Sequence, residues 1–174
     1  EHTYPCWNGA IVEIDICKYF NSIPHKELKE ILQKKISDKH FLQLIEKLAM
    51  APVVQNGKTT INTVGCPQGS IISPILANIY LHEVIDTWFD KIKRDRFIGK
   101  AEEVRYADDM VFIFENYTEA KRFFEVLPKR LKKYGLEMHE NKSRLIRSGQ
   151  NVACWAAKTG RRLPTYQFLG FTIY

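Results

Sequence analysis

Long apolar runs are missing from this sequence of 174 residues, although 45% of its residues are hydrophobic. A membrane-spanning helix needs roughly 18 or more consecutive apolar residues. The most apolar region, from Ser70 to Leu81, is interrupted by Ser73, Pro74 and Asn78, so no membrane partner is expected. Low-complexity and collagen-like segments are also lacking, and the apolar content is sufficient for one domain with a buried core.

Cysteine and histidine are few and scattered. The cysteines form no C-x-x-C pair and no mixed Cys/His spacing, which argues against a structural zinc site and a disulfide framework. A reducing compartment is therefore expected, and no targeting signal precedes Tyr4. The chain begins with Glu1 rather than Met, so we expect it to be part of a longer polypeptide. The four cysteines are Cys6, Cys17, Cys66 and Cys154.

Basic residues exceed acidic ones in a single stretch of the chain. The formal charge is +6, from 26 Lys and Arg against 20 Asp and Glu. Residues 121–147 hold nine basic and three acidic residues, so the whole excess lies there and the rest of the chain balances. A localised basic field is typical of proteins that bind a polyanion such as nucleic acid, although a solvated helix face would have the same composition.

The first half of the chain combines a strand, helices and a hairpin. Glu13 and Asp15 alternate with apolar residues in a short strand and therefore share one face. Helical spacing predicts that Phe41 and Leu48 point inward from one helix, and Ile75 and Ile79 from another. The predicted elements are a strand at 11–16, helices that start at Pro24 and at Asp38, a hairpin around Asn56-Gly57, and a long helix that starts at Ser73.

The second half predicts a hairpin and a long amphipathic helix, followed by strands. Asp108 and Asp109 lie between two apolar strand segments, at the tip of the hairpin. Thr118 is the predicted cap of the helix, Pro128 predicts a kink in it, and Gly135 ends it. The predicted strands are 104–106 and 111–114 in the hairpin, and then 145–147, 152–155 and 168–174.

Two adjacent carboxylates repel one another unless a cation or a solvated turn relieves the repulsion. Magnesium is one natural partner, because it prefers carboxylate oxygens together with substrate phosphates. If the strand that ends at Asp15 is a neighbour of this hairpin, three carboxylates converge, namely those of Asp15, Asp108 and Asp109. An exposed β-turn is the alternative for an isolated Asp-Asp pair.

Five segments in order resemble the palm motifs of reverse transcriptases, over nearly the whole chain. They are IVEIDICKYF from Ile11, GCPQGSIISPILANIYL from Gly65, YADD from Tyr106, GLEMHENK from Gly135 and FLGF from Phe168. The long SPILANIYL helix and the two-helix insertion resemble the bacterial group II intron-encoded enzymes, or maturases. Any one motif is weak, but five in order with plausible spacing are specific.

The resemblance implies roles for individual residues at the metal centre. Asp15 and Asp108 would be direct ligands of two Mg²⁺ ions, with Mn²⁺ as an alternative, and Asp109 would complete the triad. The carbonyl of Ile16 would help to hold the ion associated with the nucleotide. Lys142 aligns with a lysine proposed to protonate the leaving pyrophosphate, although a solvated lysine fits its spacing equally well.

The resemblance also implies how the substrates are held. The ring of Phe20 would lie under the incoming sugar and exclude a 2′-hydroxyl, where a core aromatic is the alternative. Gln68 and Gly69 match a loop that contacts the incoming nucleotide, for which a plain helix-entry loop is the alternative. Leu169 and Gly170 resemble the primer grip, for which a simple edge strand is the alternative.

The fold implied is α+β, a polymerase palm whose antiparallel sheet is backed by helices, with a partial fingers subdomain. Residues 1–23 and 73–174 would form the palm, and residues 24–72 the fingers insertion. The function implied is RNA-directed DNA polymerisation in group II intron mobility and splicing, by two-metal nucleotidyl transfer from a dNTP. Its partners would be an RNA template, a DNA or RNA primer and intron RNA, in the cytoplasm of a bacterium.

Other functions stay open at this level. The chain resembles retron, diversity-generating and CRISPR-associated reverse transcriptases as well, and a palm can also persist as a non-catalytic RNA-binding scaffold. The intact acids at Asp15, Asp108 and Asp109 favour an enzyme over a scaffold. Because the family also uses upstream fingers and a downstream thumb, we expect these 174 residues alone to have little or no polymerase activity.

Overall fold

The computed structural model describes residues 9–51, 53–55, 58–60, 64–66 and 71–173. The helices are α1 (Tyr19–Ser22), α2 (His25–Gln33), α3 (Lys39–Ala49), α4 (Ser73–Leu81), α5 (Thr87–Arg96), α6 (Tyr117–Lys133) and α7 (Gln150–Thr159), with a π-helix at His82–Asp86 between α4 and α5. The strands are β1 (Ala10–Ile14), β2 (Val53–Gln55), β3 (Lys58–Thr60), β4 (Ala101–Tyr106), β5 (Asp109–Phe114), β6 (Arg144–Arg147), β7 (Tyr166–Phe168) and β8 (Phe171–Ile173).

These elements form two compact units. The sheet unit comprises the described residues of 9–15, 89–129 and 138–173, and the helical unit those of 16–88 and 130–137. The predicted division into palm and fingers stays a prediction. No helix in the described part of the chain is long and apolar enough to cross a membrane.

A four-stranded antiparallel sheet in the order β4-β5-β1-β6 organises the sheet unit. In β1, Ile11 lies opposite Ile113 of β5 and opposite Ile146 of β6. Because successive side chains of a strand point to opposite faces, Ile11, Ile113 and Ile146 share one face of the sheet, and Ala10 and Val12 lie on the other. The mixture of helices and antiparallel sheet confirms the predicted α+β, palm-like class.

One face of the sheet is filled by phenylalanine rings. Phe112 and Phe114 of β5 are fully buried. The ring centroid of Phe112 lies 5.0 Å from that of Phe89 in α5 and 4.7 Å from that of Phe123 in α6. Such close aromatic packing contributes beyond the apolar area it removes from water. This face holds the helices against the sheet.

The opposite face has an apolar half and a polar half. Ile11, Val111 and Ile146 form a buried cluster, against which Tyr166 and Phe168 of β7 pack. β7 and β8 form a separate two-stranded hairpin. The predicted single strand at 168–174 is therefore a hairpin, whose first strand begins two residues earlier, at Tyr166.

Helix ends and turns follow the local sequence closely in the helical unit. The Asp38 carboxylate accepts from the backbone N–H groups of His40 and Phe41, as its N-cap prediction requires. The strands β2 and β3 confirm the predicted hairpin, whereas Asn56 and Gly57 lie outside the described residues. Gly135 has φ +70° just after α6, which confirms it as the helix stop.

Several local predictions were wrong. Residues 152–155 belong to α7, not to a strand. The cap of α6 is Asn116, whose side chain accepts from the backbone N–H of Thr118. Outward-facing large apolar side chains that we expected inside are Phe41 (50% exposed), Leu48 (42%), Ile75 (57%) and Ile79 (36%). The π-helix after α4 changes the helical register and interrupts the long continuous helix that the spacing predicted.

Candidate active site

The polar half of the sheet face is built by three neighbouring strands. Glu13 of β1 lies directly opposite Arg144 of β6, and Asp15 follows the last residue of β1. On the other side, Ile14 pairs with Met110, so the next residue position brings Asp15 beside Asp109 at the start of β5. Strand alternation places Glu13, Asp15, Asp109 and Arg144 on one face.

A cavity of about 500 Å³ opens on this face. It lies entirely within the sheet unit. Its lining contains carboxylates, cations and a tight turn, which is unlike an apolar ligand pocket. The lining residues are Glu13, Ile14, Asp15, Asp109, Met110, Asn141, Lys142, Arg144, Gln167, Phe168, Leu169 and Gly170.

The main chain of Asp15 is fixed by hydrogen bonds from beyond the sheet ladder. Its N–H donates to the hydroxyl of Ser143 (3.1 Å), and that hydroxyl lies 3.3 Å from the Asp15 carbonyl. The backbone N–H of His139 donates to the same carbonyl (2.8 Å). Ser143 is 5% exposed, so its hydroxyl exchanges a water partner for these contacts. Asp15 is thereby held at a defined position at the mouth of the cavity.

Two ion pairs line the cavity. The Lys142 Nζ lies 3.2 Å from Oδ2 of Asp15. Arg144 donates from both Nε (3.0 Å) and Nη2 (2.6 Å) to Oε2 of Glu13. The Glu13–Arg144 pair joins β1 to β6, and the Asp15–Lys142 pair joins the residue after β1 to the segment before β6. Two of the three cavity acids are therefore partly neutralised by neighbouring cations.

Asp109 is the cavity acid with the clearest electrostatic conflict. Burial of its carboxyl group, followed by the negative charges of Asp108, Asp15 and Glu13, raises its pKa above the usual range. The cause is the same as in other clusters of carboxylates, where like charges disfavour ionisation. A bound cation would oppose each of these electrostatic effects.

Asp108 lies in the two-residue connection between β4 and β5, together with Ala107. Ala107 has φ +54°, a left-handed conformation that side chains other than glycine adopt rarely. The Arg105 side chain donates to the Ala107 carbonyl (3.1 Å) and so ties the turn back to its own strand. Asp108 is half-buried and does not line the cavity.

The donor chemistry of this face fits a hard divalent cation, since carboxylate oxygens are its preferred ligands. Among the described residues, however, no three His, Cys, Asp or Glu side chains are gathered closely enough to hold an ion. One oxygen of Asp15 contacts Lys142 instead. Metal binding would therefore require Asp15 to exchange this contact for the ion.

Leu169 and Gly170 form the two-residue turn between β7 and β8, with φ +52° and +79°. Two consecutive positive φ values are typical of a tight hairpin turn whose twist matches its strands. Both residues line the cavity. The predicted primer-grip residues thus share one cavity with two of the predicted catalytic acids, Asp15 and Asp109, and not with Asp108.

In the helical unit, the structure joins Phe20 to the entry of the predicted nucleotide loop. Phe20 lies in α1, and its carbonyl accepts from the backbone N–H of Cys66 (2.7 Å). Gln68 and Gly69 follow Cys66 closely in the chain but lie outside the described residues. Ile16 also belongs to this unit and is buried.

The basic stretch is exposed for most of its length. Five of its cations on α6, namely Lys121, Arg122, Lys129, Lys132 and Lys133, are exposed. Arg130 differs, because its guanidinium lies 4.4 Å from the Tyr134 ring centroid and its Nε donates to the Val84 carbonyl. The positive charge is thus divided between a solvated helix surface and cations with internal contacts.

Three residues of this site were absent from the predicted set. Glu13 could have been found, because its alternation with Asp15 placed both on one face. Arg144 can be assigned to the site only when the register of β6 against β1 is known. Ser143 gave no signal at all, since a serine in a loop has many uses.

Comparison with known sequences identifies the family that these motifs belong to. Residues 8–173 match the family described as "Reverse transcriptase (RNA-dependent DNA polymerase)". An "Uncharacterized 91 kDa protein in cob intron" of Schizosaccharomyces pombe is 45% identical over 84 residues, which cover 48% of this chain and 10% of that protein. The "Group II intron-encoded protein LtrA" of Lactococcus lactis is 44% identical over 73 residues, which cover 42% of this chain and 12% of that protein.

The matched segments are short relative to these proteins, and span only about a tenth of their length. Among solved structures, an apo telomerase of Candida tropicalis superposes with a TM-score of 0.70 at 17% identity, over 94% of this chain and 33% of that one. A Candida albicans telomerase in complex with a fragment of telomeric RNA gives a TM-score of 0.67 at 13% identity, over 94% of this chain and 29% of that one. At this identity the likeness concerns the fold.

Proposed function

The chain belongs to the reverse transcriptase (RNA-dependent DNA polymerase) family, and we propose that it supplies the catalytic palm of an RNA-directed DNA polymerase. Reverse transcriptases generally use divalent metal ions. The observation that carries the proposal is the cavity in which Asp15, Asp109 and Lys142 meet the Leu169–Gly170 turn. The reaction would join the α-phosphorus of a dNTP to a primer 3′-hydroxyl on an RNA template.

Asp15, Asp108 and Asp109 are the residues proposed to hold two Mg²⁺ ions, together with the carbonyl of Ile16. When bound, such ions would act as Lewis acids that neutralise phosphate charge. Ser143 supports this role by fixing the main chain of Asp15. The raised pKa of Asp109 supports it as well, because it reports carboxylates that interact with one another.

Lys142 is proposed to serve the leaving group. In the structure its ammonium lies on Asp15, at the edge of the cavity, and its side chain is 62% exposed. An exposed lysine on a flexible stem can move from a carboxylate to a phosphate oxygen. From that position it would donate a proton to the departing pyrophosphate.

Phe20 is proposed to select the sugar. Its backbone contact with Cys66 holds α1 against the segment that leads into Gln68 and Gly69, the residues proposed to contact the nucleotide. A ring lying under the incoming sugar would obstruct a 2′-hydroxyl, and this is the role proposed for the half-buried Phe20. We expect Phe20→Ala to lower the preference for deoxynucleotides over ribonucleotides, and equal discrimination by both proteins would refute the gate.

Leu169 and Gly170 are proposed to hold the primer end, and an RNA template with a DNA or RNA primer is the proposed nucleic-acid partner. The relatives named for introns support a role in group II intron mobility and splicing, with intron RNA as a further partner. A cytoplasmic location in a bacterium belongs to the same proposal. The exposed cations of α6 support binding to nucleic-acid backbones.

The proposal is tested in the full-length protein by replacing Asp108 and Asp109 with Ala. RNA-templated incorporation of deoxynucleotides and binding of RNA are measured separately. Metal-binding carboxylates supply several kcal/mol of transition-state stabilisation, so we expect a loss of incorporation of about a hundredfold or more. The matched control replaces Asp90 and Asp95, two exposed acids of α5, with Ala.

Lost incorporation with retained RNA binding, and an active control, would support the proposed function. Unchanged incorporation in the Asp108→Ala, Asp109→Ala variant would reject it. RNA binding by a wild-type protein that incorporates no nucleotide would instead favour the RNA-binding scaffold.

A further inference from the structure

Arg144 is a cation that lines the cavity and has no role in the reaction proposed above. It begins β6, lies opposite Glu13 of β1, and its side chain is 48% exposed. It lines the same cavity as Asp15 and Asp109. A half-exposed guanidinium beside a site for phosphate transfer has the chemistry to bind a phosphate group.

The guanidinium is already oriented by its contact with Glu13. Both Nε and Nη2 donate to a single carboxylate oxygen, at 3.0 and 2.6 Å, and the Glu13 side chain is only 15% exposed. The remaining edge of the guanidinium, at Nη1, has no hydrogen-bond partner among the described residues. An arginine held in this way loses little further freedom when it binds a ligand.

Glu13 also decides which acid Arg144 pairs with. A cation free to move in this cavity would be attracted to the carboxylates of Asp15 and Asp109, where it would compete with a metal ion. The directly opposite position of Glu13 on the neighbouring strand satisfies Arg144 locally. The acid nearest to Arg144 in the sheet thus keeps the guanidinium apart from the proposed metal ligands.

We propose that Arg144, positioned by Glu13, binds a phosphate group of the substrates at this cavity. This inference rests on the proposed function, because it assumes nucleic acid and nucleotide as the substrates. The phosphate belongs either to the backbone of the primer–template duplex or to the triphosphate of the dNTP. Glu13 is a positioning residue, and Arg144 is the residue that contacts the phosphate.

The test uses the full-length protein with three variants at this pair, Arg144→Gln, Arg144→Lys and Glu13→Gln. The matched control is Arg94→Gln, which removes the same charge from an exposed arginine of α5 outside the cavity. The first measurement is the Kd for an RNA–DNA primer–template at several salt concentrations without divalent metal. The second is the KM for dNTP in single-nucleotide incorporation.

A backbone phosphate predicts that Arg144→Gln weakens duplex binding about tenfold and lowers the salt slope by about one. A triphosphate contact predicts an unchanged duplex Kd and a KM for dNTP raised about tenfold. In either arm Arg144→Lys recovers part of the loss, because it keeps the charge but not the planar fork. Glu13→Gln gives a smaller loss in the same arm, since the guanidinium is then less well held.

Unchanged Kd and KM in Arg144→Gln would overturn the inference, as would an equal loss in Arg94→Gln. A failure of the proposed function can be told apart from a failure of this inference. The proposed function expects the Asp108→Ala, Asp109→Ala variant to lose incorporation and to keep duplex binding, whereas this inference concerns the Kd and KM of Arg144→Gln. The Kd arm needs no catalysis, so it tests Arg144 even in a protein that incorporates no nucleotide. Thermal unfolding of each variant identifies any loss that comes from misfolding.

Discussion

The two faces of one sheet in this protein serve opposite purposes. On one face Phe112 and Phe114 are fully buried among the rings of Phe89 and Phe123. On the other face, to which the alternate residues of β5 belong, Asp109 lines a cavity beside Asp15. Because strand residues alternate between faces, stability and chemistry are encoded in the same few residues of β5. The aromatic face thus supplies apolar packing that the acidic half of the opposite face lacks.

A cluster of acids is tolerated where the opposite face of the same sheet supplies the core packing. Burial and the neighbouring carboxylates raise the pKa of Asp109, and the carboxylates of the polar face contribute no apolar packing. Their positions are fixed instead by the sheet and by the contacts of Ser143 and Glu13. Four stability predictions test this contrast, in descending order of the expected effect.

The largest effect is expected at the aromatic face. Phe112→Ala removes a fully buried ring in contact with two helices, so we expect a loss of about 3 to 5 kcal/mol in the free energy of unfolding. Urea unfolding of the full-length protein measures this loss. Phe112→Leu is the milder control, and a loss under about 1 kcal/mol in Phe112→Ala would contradict the assignment of this face as the core.

The next effect is expected at Ser143, which holds the main chain of Asp15 on the polar face. Ser143→Ala leaves the backbone N–H of Asp15 without its partner, at a cost of about 1 to 3 kcal/mol. We also expect kcat to fall about tenfold with little change in the KM for dNTP, because Asp15 is misplaced. Ser143→Thr keeps the hydroxyl and should restore much of kcat. An equal kcat in Ser143→Ala and wild type would contradict the role of Ser143 in positioning Asp15.

A small gain is expected at the acidic face. Asp109→Asn removes a carboxylate whose ionised form is disfavoured in the folded state, so it should stabilise the protein by up to about 0.5 kcal/mol at neutral pH. The raised pKa means that the wild type loses stability as pH rises from the unfolded to the folded value. The gain should therefore vanish below the ordinary carboxyl pKa. Thermal unfolding against pH, without metal, measures it, and a destabilised variant would contradict the account.

The smallest effect has the opposite dependence on pH and comes from the helical unit. The hydrogen bond from Lys34, 2.5 Å long, lowers the pKa of Glu83. Its contribution is therefore present above the unfolded pKa and is lost as pH falls through the folded value. We expect Glu83→Gln to cost a few tenths of a kcal/mol at pH 7, since the Lys34 side chain is 58% exposed and solvent screens the pair. The cost should disappear in acid and shrink in high salt, and a cost that grew in acid would contradict it.

The sequence predicted those features that depend on near neighbours in the chain. Asp38 was correct as a cap, and the alternation around Asp15 correctly placed it on the same face as Glu13. The strand predicted at 152–155 was wrong, and it was predicted because Val152 and Trp155 are residue types that favour strands. Gly149 and Gly160, the latter with φ +64°, lie at the two ends of α7 and were the signal that could have identified this helix.

Features that depend on strand register and packing could not be predicted. The pairing of Arg144 with Glu13 follows from the alignment of β6 with β1, which no local pattern specifies. The exposure of Phe41 and Leu48 depends on which part of the apolar surface of α3 is covered. Of the three acids that line the cavity, Asp15 and Asp109 were in the predicted set and Glu13 was not, and the contacts that position them could not be predicted.

Titration of the full-length protein with Mn²⁺, followed by EPR of the free ion, measures whether the acidic face holds divalent metal. The variant carries Asp15→Asn and Asp109→Asn, and Asp90→Asn is the control. We expect wild type and control to bind Mn²⁺ that Mg²⁺ displaces, and the variant to bind at least about tenfold more weakly. Equal Mn²⁺ affinity in the variant and the wild type would contradict the account.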